Sequence, residues 1–434
     1  MDKMADVLGR AGAWCGQNKY LSAIKNAFQN FMPLTIAGAI GVLWCNVLVN
    51  DQTGLGLFFK PIMALDFLNP AFQAVNFCTI SCITVGITLG IAQEIGIWNM
   101  GAEKAGYIPG LVGLAAWLSV TNTSHMVDGA KEAFTGVAGN ELGATGLFTG
   151  MIIGVLSVEL FCFFEKQDAL KIKMPEQVPP GVARAFEVLV PATITLIITA
   201  CIVSACYNLT GLYLNDVIKN GIQGPLGAVG ATIPGVMIIY LVIMLFWLVG
   251  IHGNNMLSAV KEALFTPLAL ENVEAFNKGE TPKNIINMYF LQMCGEFGGS
   301  GVTIGLVIAI MIFGKREDNK AIASLSLVPG LFNINETVTF GIPMVLNPIL
   351  GIPFVVAPLI TIIIGYVLTV IGFCPVACLT VPWTTPPIVF GFLACGANVM
   401  GAVTQAILIV VSTVIYVPFL ISYEKYQNKQ AAEA

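Results

Sequence analysis

Charged residues are scarce in this sequence. Asp, Glu, Lys and Arg make up only 10% of the 434 residues, against 56% that are hydrophobic. A soluble domain carries roughly 25% charged residues, which keep its surface in contact with water. The composition therefore excludes an ordinary soluble protein and indicates an integral membrane protein, much of whose surface faces lipid.

Histidine is scarcer still, with two residues, and no CxxC motif is present. We therefore expect no metal site, and no motif in the chain calls for a cofactor. The eleven cysteines lie mostly inside apolar runs, which is typical of small apolar side chains packed between helices. The sequence has no basic patch with interleaved aromatic residues, so we expect no nucleic-acid partner.

The N-terminal segment lacks the continuous apolar core and the cleavage site of a signal peptide. We interpret residues 1–29 as one or two interfacial amphipathic helices that lead into the first membrane span.

Long apolar runs follow this segment. A spanning helix needs about 20 predominantly apolar residues. Nine runs qualify, and a tenth contains three prolines: 30–50, 71–93, 105–121, 144–164, 186–208, 232–251, 299–314, 352–373 and 397–421, with 378–395 as the tenth. We predict an all-α polytopic membrane protein with about ten transmembrane helices.

Lys and Arg concentrate in the N-terminal segment, in the loop at 165–184 and in the C-terminal tail. Because cytoplasmic loops carry the excess of Lys and Arg, this distribution places all three on the cytoplasmic side. We therefore predict a plasma-membrane protein with both termini in the cytoplasm.

Two stretches, 252–298 and 326–350, are too interrupted to cross as regular helices. Irregular backbone at membrane depth survives only inside protein or beside a water-filled cavity. Interrupted segments are also the best sequence indicator of a transport site. We predict that both stretches form re-entrant hairpins or broken helices.

The polar, proline-rich segment 165–184 divides the chain. The N-terminal part, 30–208, contains plain spans with many glycines, and small residues allow close helix packing. We predict that it is a five-helix scaffold and dimerisation domain, and that 209–425 is the substrate-binding transport domain.

Glu336 is the only charged or histidine side chain between Lys320 and Glu424. A carboxylate at membrane depth is costly and is expected to face a cavity or a partner. Asn333 and Asn335 beside it add hydrogen-bonding groups. A carboxylate that exchanges a proton near neutrality can deprotonate a substrate hydroxyl. The alternative is a capping Glu at the membrane interface.

Three other stretches place polar groups where an apolar helix is interrupted. IHGNN contains His252, Asn254 and Asn255, GEFGGSG contains Glu296, Gly299 and Ser300, and VPWTTPP contains Trp383 and Thr384. Their alternative roles are, in turn, a helix-terminal His, a tight turn opening a close-packed helix, and an interfacial belt Trp.

These four stretches carry neutral polar groups and at most one ionisable side chain each. A cation pathway would be expected to show paired acids, and a nucleotide site would show basic residues. An aromatic face beside amides and hydroxyls suits a neutral, hydroxyl-rich ligand such as a sugar.

The sequence also resembles a known family. Five segments, which occur in this order, carry the resemblance: NKYLSAIKNAFQNFMPLTIAGAI, IHGNN, GGSGVTIGL, PGLFNINETVTFGIPMVLNPILGIPF and PWTTPP. Together they are similar to the membrane component IIC of the bacterial sugar phosphotransferase system, in its lactose, cellobiose and diacetylchitobiose branch. The resemblance covers about residues 3 to 425.

The resemblance implies ten spans with two re-entrant hairpins, a homodimer formed through the N-terminal spans, and a β-linked disaccharide as substrate. It implies that Glu336 contacts the 6-hydroxyl of the sugar and can act as its base, and that His252 lies near the sugar and the incoming phosphoryl group. Some family members have proline where this chain has Thr337, and HGA where it has HGNN, so the sugar stays open.

The resemblance further implies that a cytoplasmic IIB protein, itself charged by IIA, phosphorylates the sugar from a phosphocysteine. Only eleven residues follow Tyr423, so we expect IIB to be a separate chain, without which this subunit transfers no phosphate. The rival function is a proton-coupled sugar permease with Glu336 as its proton site.

Overall fold

The computed structural model describes residues 2–51, 55–125, 134–175 and 177–433. Almost all of its regular structure is helical, which confirms the predicted all-α fold. The α-helices are α1 Asp2–Gln17, α2 Lys19–Leu43, α3 Leu55–Phe58, α4 Asn69–Asn76, α5 Ile83–Met100, α6 Ala102–Ala105, α7 Ile108–Val120, α8 Gly139–Leu142, α9 Ala144–Glu165, α10 Pro180–Thr210, α11 Leu214–Ile218, α12 Gly224–Gly230, α13 Ile233–Leu248, α14 Gly253–Asn277, α15 Met288–Gly295, α16 Ile304–Phe313, α17 Glu317–Leu331, α18 Glu336–Gly341, α19 Gly351–Val370, α20 Val389–Ala394 and α21 Val399–Glu433.

Shorter elements connect these helices. Segments of 3-10 helix occupy Lys60–Leu68, Asp168–Leu170 and Ser300–Val302, and π-helical turns occupy Trp44–Leu48, Phe77–Ser81 and Lys219–Gln223. Strands β1 (Ser124–His125) and β2 (Phe134–Thr135) pair antiparallel, with Ser124 opposite Thr135.

The nine apolar runs all coincide with helices. Among the described residues, five helices are long and apolar enough to cross a membrane: Lys19–Leu48, Ala144–Glu165, Pro180–Thr210, Gly351–Val370 and Val399–Glu433. Two bent pairs raise the number to seven if each is one span: Lys60–Ser81 with Ile83–Met100, and Met288–Val302 with Ile304–Phe313. The remaining two runs match the shorter apolar helices α7 and α13. The run at 378–395, by contrast, is α-helical only in α20.

The chain divides into two compact units. One comprises Met1–Gly16, Ile36–Asn76 and Ala228–Ala434, and the other comprises Gln17–Thr35 and Phe77–Gly227. Helix α2 contributes its first part to the second unit and its last part to the first.

Within the unit that contains α5, α7 and α9, helices approach closely at small residues, as predicted. A Cβ atom built on Gly86 would lie 2.2 Å from the ring of Phe31, and one on Gly113 would lie 2.3 Å from Cβ of Ala92. Gly90 and Gly110 have neighbours at 3.1 Å. Glycine at these positions lets the helices pack at backbone distance.

The other unit contains the interrupted helices. Helices α14 and α15 are separated by an irregular segment, 278–287, and α17 and α18 by a shorter one, 332–335. Met288–Val302 and Ile304–Phe313 are also bent by 59°, at a break just beyond residue 298. The predicted helix breaks in 252–298 and 326–350 are therefore confirmed, whereas their re-entrant course stays a prediction.

Buried amides hold the irregular segment between α19 and α20. Asn272 and Asn287 each donate to the carbonyl oxygen of Ala377 at 3.0 Å. The side chain of Gln405, 1% exposed, accepts from the backbone N–H groups of Ile388 and Gly391 at 2.7 Å. This backbone has no ladder partner, so side chains must satisfy it inside an apolar interior.

The contact between α20 and α21 gives a direct test of packing. A Cβ atom on Gly401 would lie 2.1 Å from the carbonyl oxygen of Gly391. We predict that Gly401→Ala lowers the thermal unfolding temperature in detergent, with a loss of roughly 1–3 kcal/mol, because the helix backbones must separate.

Gly181→Ala is the control, because nothing lies within 4 Å of its Cβ position in α10. That variant should unfold at the wild-type temperature or slightly above it. Equal unfolding temperatures for the two variants would contradict the packing described here.

Candidate functional site

His252 terminates the connection between α13 and α14 and caps α14. Its Nδ1 accepts a hydrogen bond from the backbone N–H of Asn255 at 3.3 Å. A neutral imidazole that accepts through Nδ1 carries its proton on Nε2. The ring also lies against Trp247, with centroids 4.4 Å apart, so both its orientation and its tautomer are set by the protein.

Glu336 is the first residue of α18, with Asn335 as the residue before it. Its Oε1 lies 3.8 Å from Nε2 of His252, and the two side chains are 48% and 38% exposed. This distance is too long for a direct hydrogen bond. The Nε2–H group of His252 and the carboxylate of Glu336 therefore flank a gap that a hydroxyl can bridge, since a hydroxyl both accepts and donates.

Both groups line a cavity of about 280 Å³. This volume is close to the lower end of the range for small-molecule sites. Ten of the eleven predicted site residues line it: His252, Asn254, Asn255, Glu296, Gly299, Ser300, Asn333, Asn335, Glu336 and Trp383. Thr384, the eleventh, does not.

The glycine run forms a tight turn between α15 and α16. Gly298, Gly299 and Gly301 have φ angles of 69°, 88° and 76°, which other residues rarely adopt. The backbone N–H of Gly298 donates to Oδ1 of Asn333 at 2.7 Å, and that of Gly299 donates to the carbonyl oxygen of Glu296. Protein groups already accept from these N–H groups, so this stretch forms the tight turn expected as its alternative role.

The side chains of Asn333 and Asn335, just before Glu336, hold this turn in position through hydrogen bonds. Asn333 has a φ of 62°, and its Nδ2 donates to the carbonyl oxygens of Trp383 and Thr385. The Nδ2 of Asn335 donates to the carbonyl oxygen of Ser300 at 2.7 Å, with Asn335 only 4% exposed. Both carboxamides therefore hold backbone segments together around the cavity.

Sequence reasoning missed six residues that line the cavity: Ser258, Lys261, Glu262, Met288, Gln292 and Ile334. A signal for most of them was present. Asn254, Ser258, Lys261 and Glu262 fall on one face of α14. Met288, Gln292 and Glu296 follow each other at intervals of four along α15 and its C-cap. Because the sequence predicts an interrupted region over 252–298, it does not separate the faces of these two helices.

The cavity chemistry suits a neutral polar ligand. Amides, two hydroxyls, an indole and a few charged side chains line it. In the part of the chain that the structure describes, no group of three or more His, Cys, Asp or Glu side chains is placed to hold a metal ion. All eleven cysteines are free.

Comparisons with known proteins agree over nearly the whole chain. A family model described as "Phosphotransferase system, EIIC" matches residues 25–358. The chain is 33% identical over 429 residues to the PTS system oligo-beta-mannoside-specific EIIC component of Bacillus subtilis (strain 168), which covers 98% of this chain and 94% of that protein.

It is also 30% identical over 486 residues to the PTS system cellobiose-specific EIIC component of Lactococcus lactis subsp. lactis (strain IL1403), with 98% of each chain covered. The crystal structure of the transporter ChbC, the IIC component from the N,N'-diacetylchitobiose-specific phosphotransferase system, matches with a TM-score of 0.88, 30% identity and 97% coverage of both chains.

The apolar helices and this relationship together make the protein a multi-pass protein of the plasma membrane. Such components bind sugar and work with the IIB and IIA components of their system. The chain belongs to the EIIC family of the phosphotransferase system, the sugar permeases of that system.

Proposed function

We propose that this protein binds a β-linked disaccharide, cellobiose or diacetylchitobiose, and presents its 6-hydroxyl for phosphorylation during translocation. The relatives named for oligo-beta-mannoside, cellobiose and diacetylchitobiose support this substrate class. The phosphoryl donor is the phosphocysteine of a separate cytoplasmic IIB protein, which IIA recharges.

The gap between His252 and Glu336 carries the proposal. A sugar hydroxyl placed there donates to Oε1 of Glu336 and accepts from Nε2–H of His252, the two groups being 3.8 Å apart. As the hydroxyl oxygen bonds to phosphorus, the phosphorus–sulfur bond of the donor breaks and the cysteine leaves as a thiolate. The hydroxyl proton passes to the Glu336 carboxylate, which acts as general base.

Trp383 supplies a face for the sugar ring. It lines the same cavity and is 43% exposed, so part of its indole is accessible. The C–H face of a pyranose stacks on an aromatic ring while its hydroxyls bond to the amides around it. Asn254 and Ser300 line the same cavity, and we propose that they make such contacts.

The remaining parts of the assembly follow from the family resemblance. We propose a homodimer formed through the spans of 30–208, transport by 209–425 with two re-entrant hairpins, and both termini in the cytoplasm. The cytoplasmic orientation is supported by the basic residues of the N-terminus, the 165–184 loop and the C-terminal tail.

Dependence on the partner separates this function from a proton-coupled permease. We predict that vesicles holding the purified protein accumulate phosphorylated sugar from radiolabelled cellobiose or diacetylchitobiose only when phosphorylated IIB is supplied. Accumulation of free sugar under a proton gradient, without a partner, would establish the permease instead.

Glu336→Gln tests the general base. Gln keeps the shape of the side chain but does not take up the hydroxyl proton, so we predict sugar affinity within a few-fold of wild type and phosphorylation slowed by about 10²- to 10⁴-fold. The measurement is single-turnover transfer from phosphorylated IIB.

Glu317→Gln, on an exposed side chain of α17, is the matched control and should react at the wild-type rate. A wild-type transfer rate in Glu336→Gln would remove Glu336 from the chemistry.

Gly299→Ala tests whether the turn positions the site. A Cβ atom on Gly299 would lie 2.5 to 2.8 Å from the Asn335 side chain, so it would displace the residue next to Glu336. We predict a fall of about tenfold or more in sugar affinity, measured by titration calorimetry, because displacing the wall of a preformed site removes its contacts.

Gly279→Ala provides a control with matched backbone strain. Gly279 also has a positive φ, 73°, but nothing lies within 4 Å of its Cβ position. If both variants lose affinity equally, strain rather than the Asn335 contact is the cause.

A further inference from the structure

A second polar centre lies on the cavity wall formed by α14 and α15. Nζ of Lys261 and Oε1 of Glu296 form an ion pair, called the charged pair below. The hydroxyl of Tyr240 donates to the same Oε1 at 2.8 Å. Lys261 is 6% exposed and Tyr240 is fully buried. Desolvation of a buried ion pair often exceeds its own attraction, so stability alone is a poor explanation for its presence.

Hydrogen bonds connect the charged pair to the segment that carries Glu336. Nζ of Lys261 donates to Oδ1 of Asn254 at 3.4 Å, and Nδ2 of Asn254 donates to Oγ of Ser300 at 2.9 Å. The carbonyl oxygen of Ser300 in turn accepts from Asn335, which directly precedes Glu336. The two polar centres of the cavity are therefore held in a fixed relation to each other.

The charged pair has hydrogen-bonding capacity to spare. Tyr240 and Lys261 both donate to Oε1 of Glu296, and Oε2 accepts no hydrogen bond from the residues that the structure describes. An ammonium group has three N–H donors, and Lys261 gives one to Glu296 and one to Asn254. Both residues line the cavity, so one acceptor and one donor are left for a ligand.

Gln292 adds an unpartnered amide to the same wall. It lies four residues before Glu296, and its buried Oε1 has no hydrogen-bond partner among the described residues. A buried polar atom without a partner costs free energy. The wall thus offers a free carboxylate oxygen, a free ammonium N–H and an unpaired carboxamide oxygen in the same cavity.

This combination matches neighbouring hydroxyls, each of which donates and accepts. Resting on the proposed function, we propose that the charged pair binds two adjacent sugar hydroxyls, including the 2-hydroxyl, and so selects cellobiose-type disaccharides over 2-acetamido sugars. One hydroxyl donates to Oε2 of Glu296 and its neighbour accepts from Lys261. An acetamido group at carbon 2 keeps an N–H donor and a carbonyl acceptor, but its acetyl group must also fit into a cavity of only about 280 Å³. Its methyl group would lie against the charged pair and desolvate it without giving a hydrogen bond in return, which costs free energy.

Cellobiose and diacetylchitobiose test this directly, because they share their linkage and 6-hydroxyls and differ at carbon 2. Titration calorimetry of the purified full-length protein should show tighter binding of cellobiose by about tenfold or more. In the double variant Lys261→Met, Glu296→Gln, cellobiose affinity should fall by about tenfold or more while diacetylchitobiose affinity stays within about threefold, so that the preference disappears.

The double variant Lys278→Met, Glu274→Gln is the matched control. It removes an exposed ion pair between the last turn of α14 and the residue that follows this helix, and it should leave both affinities unchanged.

Tighter wild-type binding of diacetylchitobiose would overturn the inference and leave the proposed function standing. An equal fall for both sugars in the double variant would show that the pair only supports the cavity, which also overturns it. A wild type that binds neither sugar would overturn the proposed function and the inference together. The relative affinities of the wild type for the two sugars test the inference even if the double variant does not fold.

Discussion

The position of Glu336 depends on hydrogen bonds between two irregular segments, the glycine turn at 298–301 and the residues 333–335. Asn333 accepts from the N–H of Gly298, and Asn335 donates to the carbonyl oxygen of Ser300. Both segments contain positive φ angles, which the glycines of the turn adopt freely and which Asn333 adopts at 62°. Their mutual hydrogen bonds satisfy that backbone and bring the start of α18 to the cap of α14, where His252 lies.

The same physical constraint acts throughout this unit. A bilayer core offers no water to backbone groups, so every break in a helix needs partners from the protein. Asn272, Asn287 and Gln405 provide them for the segment between α19 and α20. A net contribution of about 1 kcal/mol per bond understates their importance, because losing one leaves a buried polar group unpaired at a cost of about 1–3 kcal/mol.

Two kinds of polar side chain surround the cavity, those whose hydrogen bonds go to the backbone and those that keep donors or acceptors for a ligand. The carboxamides of Asn333 and Asn335 are committed to the backbone, whereas His252, Glu336 and the charged pair retain free donors and acceptors toward the cavity. A site of this kind has fixed walls and a small number of unpaired groups, which is the usual design of a small-molecule site. It favours a ligand that supplies many hydroxyls and little charge.

Much of this was readable from the chain alone. Composition determined the membrane class, apolar length located nine helices, and an isolated carboxylate in an apolar background identified Glu336, because each of these signals is local and energetically expensive to violate. The interruptions by Pro and Gly also marked the cavity-forming segments correctly.

The tertiary structure decided what those groups do to one another. The spacing of Asn333 and Asn335 does not say that their amides face the backbone of another segment, nor does any motif pair Lys261 with Glu296. A buried cation is recognisable only when its partner is known, since in sequence it is indistinguishable from a residue that reaches water. Contacts between residues far apart in the chain depend on how the helices pack, and this packing is determined by many residues together rather than by any one stretch of sequence.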